Sequence, residues 1–153
     1  MKISEPVLVD TNILVYAHNQ DSPFHSQASY FIRSILAGEI KGVLTEQNLL
    51  EFYAIVTDPR RVTNPLSATE AINLIDDYLS SSFEIILPTK GSMEIILSLC
   101  KQKKICGSQI FDAFLVATML SNQVKTIITL NSKDFIHFTQ IQILDLRRFD
   151  NHN

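Results

Sequence analysis

Cysteine is nearly absent: the chain holds two, Cys100 and Cys106. Their spacing matches no common zinc pattern, and two thiols make no disulfide scaffold. Both are expected to pack as ordinary side chains in a reducing cytosol. Glycine is equally scarce, with four residues and no glycine-rich phosphate loop. No Gly-x-Ser-x-Gly elbow and no His-Glu-x-x-His pattern occurs, and His18, His25, His137 and His152 are scattered. Long apolar runs are missing too. Residues 113–120, interrupted by Thr118, are far too short to cross a bilayer, so no membrane association is expected. The opening Met-Lys-Ile-Ser-Glu-Pro lacks the basic-then-apolar build of a signal peptide. Nor is there an excess of basic charge: 13 Lys and Arg stand against 16 Asp and Glu, a net charge of -3. That argues against a protein that coats nucleic acid nonspecifically. It leaves a nuclease open, because bound metal ions reverse the sign of a local acidic cluster.

What is present reads as globular. Apolar residues make up 46% of the chain and charged residues 19%. Residues 1–150 are expected to form one domain, able to bury roughly two-thirds of its unfolded surface. Apolar spacing alternates between strand-like and helix-like periods. Val7-Leu8-Val9 reads as a short buried strand. Phe24, Ala28, Phe31 and Ile35 then mark one helix face. Residues 41–45 predict a second strand, and 47–57 a helix begun by a Thr45 or Glu46 cap. Residues 58–66 form a loop by their prolines and Asn64. Ser67 and Glu70 make a capping box for a helix on Ala68, Ile72, Ile75 and Leu79. A strand over 83–87, a helix through Met93, Ile96, Leu97 and Cys100, and a helix over 109–122 capped by Ser108 follow. Strands over 126–130 and 141–146 close the chain. The order β-α-β-α-α-β-α-α-β-α-β implies a mostly parallel sheet with helices on both faces.

Four acids sit where a solvated charge is out of place. Asp10 directly follows the first strand, at the carboxyl edge where open α/β sheets bind ligands. Glu51 interrupts Leu49-Leu50 and Phe52-Tyr53. Asp112 lies among Ile110, Phe111, Ala113 and Phe114, in a segment apolar nearly all round and so expected to be buried. Asp134 follows the 126–130 strand across a short polar turn. An unpaired buried carboxylate costs several kcal/mol, so such groups are paired, protonated or metal-bound. The apolar segments offer no cation; the basic residues gather at Arg60-Arg61, Lys101, Lys103-Lys104 and Arg147-Arg148. Oxygen ligands without His or Cys select Mg²⁺ or Mn²⁺. Each acid also has a plainer reading: Asp10 as an Asx cap of the next helix, Glu51 on a polar stripe with Asn48, Asp112 at a helix dipole, Asp134 as a cap.

Four segments together resemble the PIN domain, in particular the VapC-like toxins of bacterial and archaeal toxin–antitoxin pairs. They are Val9-Asp10-Thr11-Asn12, Leu50-Glu51-Phe52-Tyr53, Ile110-Phe111-Asp112-Ala113 with Ala117, and Thr129-Leu130-Asn131-Ser132-Lys133-Asp134-Phe135. The resemblance covers essentially the whole chain and implies a three-layer α/β/α fold around a parallel five-stranded sheet. It implies an endoribonuclease with Mg²⁺ or Mn²⁺ on Asp10, Glu51 and Asp112, and Thr11 and Asn12 holding the site or a bound water. Many relatives carry an acid where this chain has Asn131, so the fourth ligand is Asn131, Asp134, or one of them through water, with a weaker second-metal site as the consequence. The expected products carry 5′-phosphate and 3′-hydroxyl ends. The resemblance further implies a homodimer and a small antitoxin, with the helices around the 58–66 loop in the clamp. Arg60, Arg61, Lys103, Lys104 and Lys133 are candidates to steer RNA by its phosphates. Two rivals stay open at this point: a PIN nuclease of RNA maturation without an antitoxin, and a non-catalytic PIN module. A phospho-acceptor receiver domain or an aspartyl phosphatase needs a second Asp or a placed Lys that Asp10-Thr11-Asn12 does not supply.

Overall fold

The computed structural model of the protein describes residues 3–149. His152 and the ends of the expected 1–150 domain lie outside the described residues. Five strands form one parallel sheet: β1 (Val7–Val9), β2 (Gly42–Thr45), β3 (Glu84–Ile86), β4 (Thr126–Thr129) and β5 (Gln142–Asp145). Their spatial order is β3-β2-β1-β4-β5, with every neighbouring pair parallel.

The strands are short, and their alternation builds the layers. Val7 and Val9 enter one apolar cluster and Leu8 the other; Leu44 and Ile128 join the first, Val43 and Ile127 the second. The first cluster is covered by α1 (Thr11–His18), α2 (His25–Leu36), α3 (Glu46–Val56) and α4 (Ala68–Leu79). The second is covered by α5 (Ser92–Lys103), α6 (Gln109–Ser121) and the short α7 (Ser132–Phe135). The result is the expected three-layer α/β/α arrangement.

Local sequence explains most boundaries. Thr45 and Asn48 form a reciprocal capping box at the start of α3, and Ser67 and Glu70 form another at α4. Two expectations need correction. The sequence pattern gave one helix between β1 and β2, whereas two are present. Helix α1 was hidden because Ile13-Leu14-Val15 is a continuous apolar run with no helical spacing; packing between the sheet, α2 and α3 fixes it as a helix. Ser108 occupies the N-cap position of α6 but makes no side-chain cap bond, because its own backbone is already helical.

Helix α2 reaches the sheet closely enough to require glycine at residue 42. A Cβ there would lie 2.5 Å from Cγ2 and 2.7 Å from Cδ1 of Ile35, and 2.9 Å from Cε1 of Phe83. Gly42→Ala is therefore expected to destabilise the protein by about 1–3 kcal/mol through overpacking. Thermal denaturation checks this: an unchanged melting temperature would show that Ile35 yields without strain.

Candidate catalytic site

The sheet order creates a switch point. From β1 the chain builds outward to β2 and β3, then returns to place β4 on the other side of β1. Ligand sites form beyond the carboxyl ends of strands at such a reversal. Asp10 stands there, its backbone N–H donating to the Ile128 carbonyl at 3.0 Å.

Asp10 is 9% exposed, and polar neighbours from both strands hold its carboxylate. Oδ2 accepts from Thr129 Oγ1 at 2.6 Å and from Asn12 Nδ2 at 2.6 Å. Asn12 also donates to Thr129 Oγ1 at 3.1 Å and accepts from the Leu130 N–H at 3.2 Å, tying the ends of β1 and β4 together. Thr129 in turn accepts from the Asn131 N–H at 2.9 Å. Although Asp10 is the N-cap residue of α1, it makes no side-chain cap bond, which rejects the plain capping reading. Burial pushes its pKa up to about 6, with the Glu51 charge adding to the rise. Hydrogen bonds from Thr129, the Thr11 backbone and Asn12 act in the opposite direction.

A second chain of hydrogen bonds orients Glu51. Thr11 Oγ1 donates to Glu51 Oε2 at 2.9 Å and accepts from Asn48 Nδ2 at 3.2 Å. Gln47 Nε2 donates to Glu51 Oε1 at 2.8 Å and to the Phe111 carbonyl at 3.2 Å. Asn48 is fully buried and belongs to the α3 capping box, so the polar stripe read for it is internal and does not face solvent. The cap that starts α3 therefore also fixes the glutamate one turn later.

Asp112 sits in the first turn of α6, where the helix dipole favours a charged carboxylate. Its pKa is nevertheless pushed up to about 6, first by burial and then by Asp134, Asp10 and Glu51. The neighbouring acids therefore act in the same direction as desolvation.

Asp10, Thr11, Asn12, Glu51, Asp112, Asn131 and Asp134 all line one cavity of about 330 Å³, which Tyr16, Asn19 and Arg61 also line. All seven residues singled out from sequence thus meet at one place. Their burial differs from expectation. Of the four acids only Asp10 is buried, and Thr11 beside it is buried too; Glu51 and Asp112 are half-buried, and Asp134 and Asn131 are exposed. Phe111, in the opening turn of α6, is 59% exposed, and Asp112 beside it is half-buried. Leu50, beside Glu51, is 69% exposed. Sequence reasoning missed Thr129, Gln47 and the structural part of Asn48. A threonine ending a buried strand opposite Asp10 was the available signal for the first.

Among the described residues no Lys or Arg forms an ion pair with these acids; the ion pairs there are Arg60–Asp58 and Arg147–Asp145. Oxygen donors without His or Cys, left without a protein cation, fit a hard divalent ion. Among the described residues, no three His, Cys, Asp or Glu side chains already converge on a single ion position. The carboxylates face a shared space and stay spread within it, as mutual repulsion requires.

The PIN domain profile matches residues 7–140, and the chain belongs to that family. Ribonuclease VapC24 of Mycobacterium tuberculosis is 30% identical over 137 residues, spanning 90% of this chain and 94% of that protein. Ribonuclease VapC48 of the same organism is 28% identical, spanning 89% and 94%. Among solved structures, VapBC2 from Rickettsia felis bound to a promoter DNA fragment contains a chain of like fold. It has a TM-score of 0.66 at 19% identity and covers 92% of this chain and 98% of that one.

Proposed function

We propose that this protein is a metal-dependent endoribonuclease, the toxin of a type II toxin–antitoxin pair, that hydrolyses RNA phosphodiester bonds. One observation carries the catalytic reading: Asp10, buried and clamped by Asn12 and Thr129, shares a cavity with Glu51, Asp112 and Asp134, and among the described residues no Lys or Arg pairs with any of them. Membership of the PIN family and the ribonuclease relatives support RNA as the substrate class. Residues 1–150 act as one nuclease unit in this reading.

Asp10, Glu51, Asp112 and Asp134 would hold Mg²⁺ or Mn²⁺, with Asn131 beside them as a neutral oxygen donor. When bound, the ion supplies positive charge facing the phosphodiester and lowers the pKa of water at the site. The chain's own residues set the arrangement. Asn12 and Thr129 keep the buried Asp10 carboxylate in one orientation, and Thr11 and Gln47 do the same for Glu51. The Asp134 charge acts on Asp112, and both Asp134 and Asn131 line the cavity, so either completes the fourth corner in this reading. Thr129→Val removes a positioning hydroxyl without touching a carboxylate. It is expected to lower cleavage about 10- to 100-fold and to cost about 1–3 kcal/mol of stability, because Asp10 and the Asn131 N–H lose a buried partner. A variant that cleaves like the parent removes Thr129 from the site.

An apolar groove of about 310 Å³ between α1, α2 and α4, lined by Ala17, Ile32, Leu36, Leu74 and Tyr78, supports a small helical antitoxin as partner. A homodimer would cover Leu50 and Phe111. Among the described residues no helix is long and apolar enough to cross a membrane, and both cysteines are free; we assign the protein to the cytosol.

The test is direct. The purified protein is incubated with a panel of structured RNAs in Mg²⁺, in Mn²⁺ and in chelator. Cleavage is expected with either ion and lost with chelator; cleavage that persists in chelator overturns the metal-nuclease reading.

A further inference from the structure

The acid-lined cavity carries one feature that the carboxylates do not explain. Arg61 lies on its wall, the single Lys or Arg among its lining residues. The neighbouring Arg60 is already committed: its Nη2 lies 2.8 Å from Asp58 Oδ2 and its Nε donates to Asp58 Oδ1 at 3.0 Å. Arg61 has no such partner. Among the described residues its guanidinium makes no hydrogen bond and has no carboxylate oxygen within 4.0 Å.

Its backbone is nevertheless fixed. The Arg61 and Val62 N–H groups both donate to the Asp58 carbonyl, at 2.9 and 3.2 Å, and the Leu66 N–H donates to the Val56 carbonyl at 2.8 Å. The loop is thereby folded back on the end of α3, the helix that carries Glu51. The bonded turn fixes the Arg61 backbone relative to the helix that carries Glu51.

Arg61 is exposed and lines the same cavity as Asp10, Glu51, Asp112 and Asp134, and among the described residues it pairs with none of them. Direct collapse would form an ion pair, and none forms. An anionic group with oxygens on two sides bridges the two, one side toward the acid-held ion and the other toward the guanidinium. A phosphodiester is that group, and the planar fork of Arg matches two of its oxygens in a way that a Lys ammonium does not.

We propose that Arg61 grips an RNA phosphate inside the catalytic cavity and orients the strand against the carboxylate cluster. The proposal rests on the ribonuclease reading above and adds a substrate-binding residue to it. It also reconciles a net-acidic chain with a polyanionic substrate: the attraction is concentrated at one wall.

The experiment compares the parent with Arg61→Ala and Arg61→Lys. Single-turnover cleavage is measured in Mg²⁺. Binding of a labelled single-stranded RNA is measured in chelator over a range of salt, and Mg²⁺ affinity by calorimetry. Arg61→Ala is expected to lower kcat/KM by about 10- to 100-fold, as loss of a charge-assisted bidentate contact does. Arg61→Lys should restore only part of it. The slope of log affinity against log salt should fall in magnitude by about 0.7, one phosphate contact on a single strand. Mg²⁺ affinity should stay within about twofold of the parent. Arg61→Ala that cleaves within about twofold of the parent with an unchanged salt slope overturns the proposal. So does a variant whose whole defect follows a change in Mg²⁺ affinity, since Arg61 would then act only on the cluster. If the parent cuts no RNA, the ribonuclease reading fails separately. The salt slope then still decides Arg61: a reduced slope supports the grip, and an unchanged one overturns it.

Discussion

Asp10→Asn is expected to reduce RNA cleavage by roughly 10²- to 10³-fold while the protein stays folded. The substitution removes one charge and almost nothing else. An Asn side-chain oxygen can still accept from Thr129 and Asn12, so the clamp between β1 and β4 survives. The volume is unchanged, and the apolar surroundings of Val9 and Ile128 lose no contact. A large loss of activity with an intact melting transition places the role of Asp10 in the chemistry. If cleavage persists at a tenth of the parent's rate or better, Asp10 is not the central ligand.

The same substitution should stabilise the ion-free protein, by an amount that depends on pH. Burial raises the Asp10 pKa from 3.8 to about 6. Between those two values the folded protein holds a proton that the unfolded chain has released, so this group's contribution to stability falls as pH rises. Above about pH 6 the penalty is complete, at roughly 3 kcal/mol from two pKa units. Asn carries no such penalty. In chelator the melting temperatures of Asp10→Asn and the parent should nearly coincide near pH 4. They should separate as pH rises, reaching about 6–12 °C by pH 7. Taking the difference between the two proteins removes groups that both share. These include His18, whose pKa is lowered by burial against Phe52 and Tyr78 and which opposes folding as the solution becomes acid. Adding Mg²⁺ should close the gap by stabilising only the parent. A difference that stays flat from pH 4 to 7 would remove the desolvated-carboxylate account. Asp112→Asn should move the same way by less, because that carboxylate is only half-buried.

The sheet and most helices were legible in the sequence because their signals are local. Capping boxes at Thr45 and Ser67, and apolar recurrence along α2 and α4, need no tertiary context. Helix α1 was not legible, since Ile13-Leu14-Val15 suits a strand as well as a helix and only the packed neighbours decide. The acids were found for a reason that holds fully at one of them. Asp10 is a buried carboxylate, as its apolar setting implied. At Asp112 the apolar neighbours Ile110 and Phe111 face outward, so a hydrophobic sequence did not mean a buried one. Thr129 and Gln47 escaped because their importance lies in what they touch across the fold. Thr129 meets Asp10 over a separation of 119 residues, and no spacing rule reaches that far.

That separation has a consequence for synthesis. Asp10, Glu51 and Asp112 all emerge before β4 exists, yet the Asp10 carboxylate is oriented by a hydroxyl on β4 and the central strand β1 is flanked on that side only once β4 docks. A nascent chain that stops short of Thr129 carries three of the acids and lacks the contact that holds the first of them in place. The Asp10 site is therefore complete only once β4 has been made and has docked beside β1.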